Sequence, residues 1–130
     1  MKVFVYGTVM PGGRYYDYIC KEHLASFTEA KAKGCLYDLK VGYPGMALGE
    51  DWVKGYLLRF DSDEVLKKLD HLEGYSEQNT SEKNEYNRIK IAVFDLNENF
   101  MGQAWSYIMN EAQLNQYNFE RIESGQWENK

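Results

Sequence analysis

The chain alternates runs of β-branched and aromatic residues with glycine-containing or polar turns, and this pattern limits the folds it can adopt. Five runs have the length and composition of β-strands. They cover residues 3–6, 27–39, 52–60, 86–96 and 100–109. The strands outnumber the helices, which predicts an α+β fold with a curled or barrel-like sheet.

Glycines mark the expected interruptions. Gly7 closes the first run and begins a loop over residues 7–13. Gly34 divides the second run, where we expect a bend or bulge. A turn is predicted at residues 43–45, and a short helix at residues 15–24.

The longer predicted helix covers residues 61–74. Asp61 followed by Glu64 resembles a capping box, and Gly74 stops the helix. The apolar stripe of this helix consists of Val65, Leu66, Leu69 and Leu72. The polar residues 76–85 are interpreted as a flexible loop of a kind that can cover a site. The apolar residues within 115–130 predict a tail that docks on the body.

Composition excludes several classes of protein. The 130 residues predict one domain, residues 1–130, and the net charge is −5 with no basic cluster of the kind that binds nucleic acid. No apolar run is long enough to span a membrane, and no leader-like segment follows Met1. We therefore expect a soluble, cytoplasmic protein without nucleic-acid or membrane partners. Cys20 and Cys35 stand apart and are interpreted as ordinary thiols.

The residue inventory also limits the chemistry. His23 and His71 lie in unrelated segments, so a zinc site is not expected, and no Gly-x-Ser-x-Gly elbow is present. The loop after the first strand has the glycine spacing of a phosphate loop. However, Gly13 and Arg14 stand where lysine and serine or threonine are needed, so nucleotide binding is rejected.

Glu73 has an unusual position for a carboxylate. It follows Leu69 by four residues and therefore lies on the apolar stripe, in the last turn of the predicted helix. Burial, the helix dipole and the like-charged Asp70 would all raise its pKa, as suits a group that exchanges protons. A helix-end glutamate that reaches solvent is the commoner case, and the residues alone favour it.

A series of ordered motifs covers most of the chain. They are Val5-Tyr6-Gly7-Thr8-Val9-Met10, Gly34-Cys35-Leu36-Tyr37-Asp38, Tyr43-Pro44-Gly45, Gly55-Tyr56-Leu57, Leu69-Asp70-His71-Leu72-Glu73-Gly74, Tyr86-Asn87-Arg88, Ala104-Trp105-Ser106-Tyr107 and residues 122–127. In this order they resemble the γ-glutamylcyclotransferase-like family, which includes AIG2-like proteins and γ-glutamylamine cyclotransferases. Val9 departs from the family pattern, which usually has leucine there, with little expected effect on the backbone.

The resemblance implies a small mixed β-barrel with flanking helices and a cofactor-free, metal-free enzyme. Such an enzyme cyclises a γ-glutamyl compound to 5-oxoproline and releases an amine or amino acid. Glu73 matches the family's catalytic glutamate, so the resemblance favours a catalytic role for this residue over a glutamate that reaches solvent. The substrate-gripping loop matches Tyr6, Gly7, Thr8 and Val9.

Further candidate substrate contacts are Tyr43, Tyr86, Arg88 and Tyr117. For Tyr86 and Arg88, which share one face of a strand, cross-strand packing is an equally good interpretation. Two alternatives for the function stay open. One is removal of a γ-glutamyl group from a biosynthetic intermediate, and the other is a non-catalytic module of the same fold that holds a small acidic ligand. The expected partner is a small γ-glutamyl substrate, and the sequence allows either a monomer or a weak homodimer.

Overall fold

A computed structural model describes residues 1–20, 22–81 and 83–129. Six strands and three short helices follow one another in these described residues. They are β1 (Lys2–Val5), α1 (Tyr16–Cys20), β2 (Leu24–Asp38), β3 (Pro44–Phe60), α2 (Val65–Leu72), β4 (Asn87–Phe94), β5 (Phe100–Ile108), α3 (Glu111–Leu114) and β6 (Glu120–Arg121).

The six strands form one curled sheet in the order β3-β1-β5-β4-β2-β6. A further pairing of β2 with β3 brings the two sides of the sheet together, and β1 pairs antiparallel with β3 but parallel with β5. The sheet is therefore a mixed barrel, and the predicted fold is confirmed. Closure is loose between β2 and β4, which are joined through the pair Lys31 and Phe94.

The hairpin of β2 and β3 supplies most of the barrel wall. Its register shifts between Lys33 and Cys35, so the irregularity expected at Gly34 is confirmed. A Cβ atom at Gly34 would lie 2.6 Å from the Met46 side chain and 2.7 Å from the Ala47 carbonyl oxygen. Since a side chain has no room there, glycine allows the two strands to pack closely at the bulge.

The apolar core lies inside the barrel and beneath α2. Val65 and Leu69 of α2 are buried in the same cluster as Val5 of β1 and Tyr107 of β5. This packing confirms the apolar stripe of the predicted helix and fixes the end of α2 next to the end of β1. The tail also docks, as predicted, because the Ile122 N–H donates to the Leu36 carbonyl.

Several local predictions are wrong. Pro44 and Gly45 begin β3, and the turn lies before them, where Lys40 and Gly42 have positive φ. The capping box at α2 is absent because Ser62 Oγ accepts from the Glu64 N–H, while Asp61 Oδ1 lies 3.0 Å from His23 Nδ1. The short elements α3 and β6 were not predicted. In the described part of the chain, no helix is both long and apolar enough to cross a membrane.

Candidate functional site

A cavity of about 240 Å³ opens where β1 and α2 end. Its wall contains seven of the sequence-predicted site residues, namely Tyr6, Gly7, Thr8, Val9, Tyr43, Glu73 and Tyr86. The other lining residues are Phe4, Val5, Arg14, Tyr15, Pro44, Leu72, Glu85 and Tyr107. Segments far apart in the sequence thus meet around one small space.

Glu73 is the C-cap residue of α2, and its N–H donates to the Leu69 carbonyl at 2.8 Å. The following Gly74 has φ of 64°, which ends the helix and leaves the Glu73 side chain at the cavity. The side chain is half-buried, and no hydrogen bond to its carboxylate occurs among the described residues. Two effects raise the pKa of Glu73 to about 8: burial, which is the larger, and the negative charge of Glu85.

The like-charged neighbour that raises the pKa of Glu73 is therefore Glu85, and the expectation that Asp70 has this role is wrong. Asp70 is occupied by other partners. Its two oxygens accept hydrogen bonds from Arg88 Nη1 at 2.8 Å and from the Tyr107 hydroxyl at 2.7 Å. Paired in this way, Asp70 anchors α2 against β4 and β5.

Glu85 is the second carboxylate of the cavity. Its Oε2 accepts hydrogen bonds from the hydroxyls of Tyr43 at 2.5 Å and Tyr117 at 2.6 Å, and its N–H donates to the Gly74 carbonyl at 2.9 Å. Sequence reasoning missed Glu85 because it belongs to a polar segment interpreted as flexible. Its position immediately before Tyr86 of the matched motif is the signal that could have indicated it.

The segment before Glu85 is tied to the body by side-chain amides. The buried Gln113 donates from Nε2 to the carbonyls of Ser81 at 2.7 Å and Asn84 at 2.8 Å. Asn84, also buried, accepts from the Ser76 N–H at 3.0 Å. These bonds satisfy backbone groups that have no sheet partner, so the segment holds Glu85 in place.

The loop after β1 presents backbone donors. The Gly7 carbonyl accepts from the Met10 N–H and from Asn129 Nδ2, both at 3.1 Å, and the Thr8 carbonyl accepts from the Tyr15 N–H at 2.9 Å. In a trans peptide the C=O and the next N–H point in opposite directions. The N–H groups of Thr8 and Val9 therefore point away from these partners, and within the described residues they make no other hydrogen bond.

The tyrosines of the cavity floor are already engaged. The Tyr6 hydroxyl donates to the Tyr107 carbonyl at 2.5 Å, and the Tyr86 hydroxyl donates to the Pro44 carbonyl at 2.6 Å. A phenol has a single O–H donor. The Tyr6 hydroxyl oxygen also accepts from the Met46 N–H at 3.3 Å. These two side chains therefore offer a ligand mainly their rings, and the free N–H donors come from the loop after β1.

Arg88 and Tyr117 do not line the cavity. The Arg88 guanidinium lies between the rings of Tyr75 and Trp105, at 5.2 Å and 4.8 Å from their centroids, and pairs with Asp70 and Glu77. Tyr117 is one contact further away, since its hydroxyl binds Glu85. Seven of the nine predicted residues thus border the cavity directly.

The cavity combines three kinds of group. It has two carboxylates, an exposed arginine on its rim and unengaged backbone N–H donors. Among the residues that the structure describes, no group of three or more His, Cys, Asp or Glu side chains is arranged to hold a metal ion. The arrangement can bind an anion and an ammonium group side by side and can transfer a proton between them.

Comparison with known proteins gives one family and two similar sequences. The family model described as "Gamma-glutamyl cyclotransferase, AIG2-like" matches residues 3–129. A putative γ-glutamylcyclotransferase from Vibrio cholerae serotype O1 is 34% identical over 125 residues, which are 96% of this chain and 93% of the relative. The γ-L-glutamyl-butirosin B γ-glutamyl cyclotransferase of Niallia circulans is 33% identical over 108 residues, which are 83% of this chain and 66% of the relative.

A solved structure has the same fold. The crystal structure of an AIG2-like protein from Mus musculus superposes with a TM-score of 0.72 at 17% sequence identity. The match covers 98% of this chain and 87% of the mouse chain. At this level of identity the likeness concerns the fold alone, and it agrees with the mixed barrel described above.

Proposed function

The chain belongs to the γ-glutamyl cyclotransferase, AIG2-like family, and we propose that it converts a γ-glutamyl amine or γ-glutamyl amino acid to 5-oxoproline and a free amine without a cofactor. The observation that carries this proposal is the position of Glu73. Its carboxyl group borders the cavity without a hydrogen-bond partner among the described residues, and burial raises its pKa to about 8. Glu73 is therefore suited to act as both general base and general acid.

The loop after β1 is proposed to bind the negative end of the substrate. The N–H groups of Thr8 and Val9 would hold the α-carboxylate or the developing oxyanion. Gly7 fits this role because a Cβ atom there would lie 2.8 Å from the Pro44 ring, so only glycine allows this approach of the backbone. The rings of Tyr6 and Tyr86 would form the floor beneath the γ-glutamyl chain.

The reaction needs no enzyme nucleophile, because the α-amine of the substrate attacks its own γ-amide carbonyl. A new C–N bond closes the five-membered ring and gives a tetrahedral intermediate. The original amide C–N bond then breaks, and the departing nitrogen takes the proton that the attacking nitrogen lost. The atoms of the substrate are divided between 5-oxoproline and the amine, and no water is consumed. Binding favours this step through the high effective concentration of the intramolecular amine.

Glu73 is the proposed carrier of the proton. An approaching α-ammonium favours the ionised carboxylate, which lowers the pKa of Glu73 from its value in the free protein. The carboxylate removes a proton from the ammonium, the amine so formed attacks, and the attacking nitrogen loses a second proton as it becomes the ring N–H. Both protons pass one after the other through Glu73 to the departing nitrogen, which leaves as an ammonium group. The enzyme regains its starting protonation state after one turnover.

The remaining predicted residues are proposed to support this site. Tyr43 borders the cavity and donates a hydrogen bond to Glu85, and Tyr117, which lies outside the cavity, donates to the same carboxylate oxygen. Arg88 would act at a distance through Asp70, which fixes the position of α2. In this proposal these three residues position acidic groups and take no part in forming or breaking covalent bonds.

The same reaction on a γ-glutamylated intermediate of a biosynthetic pathway is the second candidate. The name of the Niallia circulans relative, which specifies γ-L-glutamyl-butirosin B, favours it. The ring-closing step would be identical, and the two candidates differ in the amine that departs.

The test is to incubate the purified protein with γ-glutamyl-alanine, γ-glutamyl-ε-lysine and glutathione and to measure 5-oxoproline by mass spectrometry. Glu73→Gln is the matched control, because it keeps the shape of the side chain and removes the exchangeable acid. We expect product from at least one compound and a loss of about 10³-fold in kcat for Glu73→Gln. Full activity of that variant would contradict the role of Glu73. Binding without turnover in the wild type would instead support a non-catalytic module.

A further inference from the structure

Glu85 has one carboxylate oxygen to spare at the reaction site. Both tyrosine hydroxyls bind Oε2, and within the described residues no hydrogen bond uses Oε1. A Cβ atom at Gly74 would lie 3.4 Å from Oε1, so this oxygen is beside the residue that follows Glu73. A carboxylate held in this way presents a fixed acceptor.

We propose that Glu85 determines substrate specificity by selecting γ-glutamyl compounds whose departing amine carries a second, positively charged group. The proposal rests on the cyclotransferase function proposed above and narrows its substrate class. In it, Oε1 of Glu85 accepts a hydrogen bond from an ammonium group of the departing amine. Tyr43 and Tyr117 keep the carboxylate in the orientation that allows this contact.

The position of Glu85 assigns it to the departing amine. The floor of the cavity is made of buried residues, among them Val5, Tyr6 and Tyr86, whereas Tyr43 and Glu85 are partly exposed. The γ-glutamyl part must fold back on itself to close the ring, so it occupies the enclosed end. The departing amine is the part of the substrate that extends past the reacting carbonyl towards solvent, and Glu85 stands on that path.

A shallow depression continues outward from the same carboxylate. Glu85 lines both the cavity and this depression, whose other lining residues are Lys83, Asn84, Gln113, Gln116 and Tyr117. An amine longer than a simple amino acid therefore has a surface to lie on beyond Glu85. Among the lining residues of this depression, Gln116 is exposed, and its amide can bind an additional polar group of such an amine. The side chains of Gln113 and Asn84 and the Tyr117 O–H already hydrogen-bond within the protein.

Two positively charged side chains near the cavity would instead favour a departing amine that carries a negative charge. Arg14 is exposed on the rim with its guanidinium 5.9 Å from the centre of the Tyr15 ring, and Lys83 is exposed in the outer depression. Neither is held by a described ion pair, so each must lose side-chain freedom to bind an anion. Glu85 is already ordered by two short hydrogen bonds, and this difference favours recognition of a cation.

The test compares three γ-glutamyl amides that differ only at the far end of the amine. They are the amides of 1,4-diaminobutane, pentylamine and 5-aminopentanoate, which end in a cation, a methyl group and an anion. The release of 5-oxoproline gives kcat/KM for each amide with the wild type, with Glu85→Gln and with Glu123→Gln. Glu123 is exposed and lies outside the cavity. Glu123→Gln therefore removes the same charge as Glu85→Gln without altering the cavity.

We expect the wild type and Glu123→Gln to prefer the cationic over the neutral amide by about tenfold and to disfavour the anionic one. In Glu85→Gln the ratio should fall to about one. The ratio isolates specificity, because any change in the proton affinity of Glu73 affects all three amides alike. A wild type without this preference, or a preference retained in Glu85→Gln, would overturn the inference while leaving the proposed function in place. If the wild type releases no 5-oxoproline from any amide, or from the compounds tested above, the proposed function fails and the inference fails with it.

A second measurement keeps the inference testable if Glu85→Gln does not fold. Added salt screens an ion pair, so the wild-type preference for the cationic amide should shrink as salt is raised. The rate with the neutral amide should change little. A preference that is unchanged at high salt would contradict recognition by charge.

Discussion

Two acidic side chains at the end of α2 have opposite surroundings. Asp70 accepts hydrogen bonds on both oxygens, one from Arg88 and one from Tyr107. Glu73, three residues later, has no partner among the described residues and faces the cavity beside a second carboxylate. The pairing of both oxygens suits Asp70 to a structural role, and the lack of a described partner suits Glu73 to the proton transfer proposed for it. The sequence motif joins the two residues, but their environments separate their roles.

The largest expected effect is on the pH dependence of stability. Unfolded, Glu73 ionises near its ordinary pKa, whereas the folded protein keeps it protonated up to about pH 8. The folded state therefore binds more protons between these values, and its stability falls as the pH rises through that range. The contribution of Glu73 should fall by on the order of 4 kcal/mol. Urea unfolding of the wild type and of Glu73→Gln from about pH 5 to pH 9 measures it. Equal slopes would contradict the raised pKa.

Removing the charge of Asp70, the paired carboxylate, should give the next largest effect. Asp70→Asn removes the charge that partners Arg88, whose side chain is 10% exposed. The unfolding free energy should fall by about 2 kcal/mol, because a mostly buried guanidinium loses its charged partner. Glu77→Gln is the control, since its carboxylate is exposed and its pair with Arg88 should contribute under about 0.5 kcal/mol. Equal losses for the two variants would show that Asp70 has no special structural role.

Removing the second carboxylate should sharpen the description of Glu73. Without the charge of Glu85, the pKa of Glu73 should decrease, so the acidic limb of the kcat/KM profile should move to lower pH by about one unit. The measurement is a pH profile of Glu85→Gln against the wild type with a neutral substrate. A limb that does not move would mean that burial alone sets the proton affinity of Glu73.

The smallest expected effect is at Tyr117. Tyr117→Phe removes one of the two hydroxyls that hold Glu85, while Tyr43 keeps the other bond. We expect KM to rise by about threefold with little change in kcat or in the unfolding free energy. Steady-state kinetics and thermal unfolding test this together. A large fall in kcat would place Tyr117 closer to the chemistry than the structure does.

The sequence predicted the barrel strands and α2 because their apolar patterns are local. The bulge at Gly34 and the end of α2 at Gly74 were predictable for the same reason, since a glycine signal acts on its immediate neighbours. The resemblance in ordered motifs brought Glu73 and the loop after β1 into one site. The prediction of a capping box at Asp61 was wrong because it depends on a distant contact. Asp61 binds His23, so it does not cap α2.

Glu85 and Arg88 show why the rest of the site could not be predicted. Both lie near Tyr86 in sequence, and Arg88 was the one selected as a substrate contact. The structure turns Arg88 towards Asp70 on α2, and it turns Glu85 towards Tyr43 and Tyr117. These directions depend on contacts between residues 18 to 42 positions apart, which no local pattern encodes.

The most direct test of the account is the titration of the Glu73 carboxyl group itself. Carbon-13 NMR of the wild-type protein, with Glu73→Gln to assign the signal, gives its pKa in the free enzyme. We expect a midpoint near pH 8, and a lower midpoint when a non-reactive γ-glutamyl analogue places an ammonium group beside it. A midpoint near the ordinary value of 4.5 in the free protein, with no change on binding, would contradict the claim that Glu73 transfers the proton.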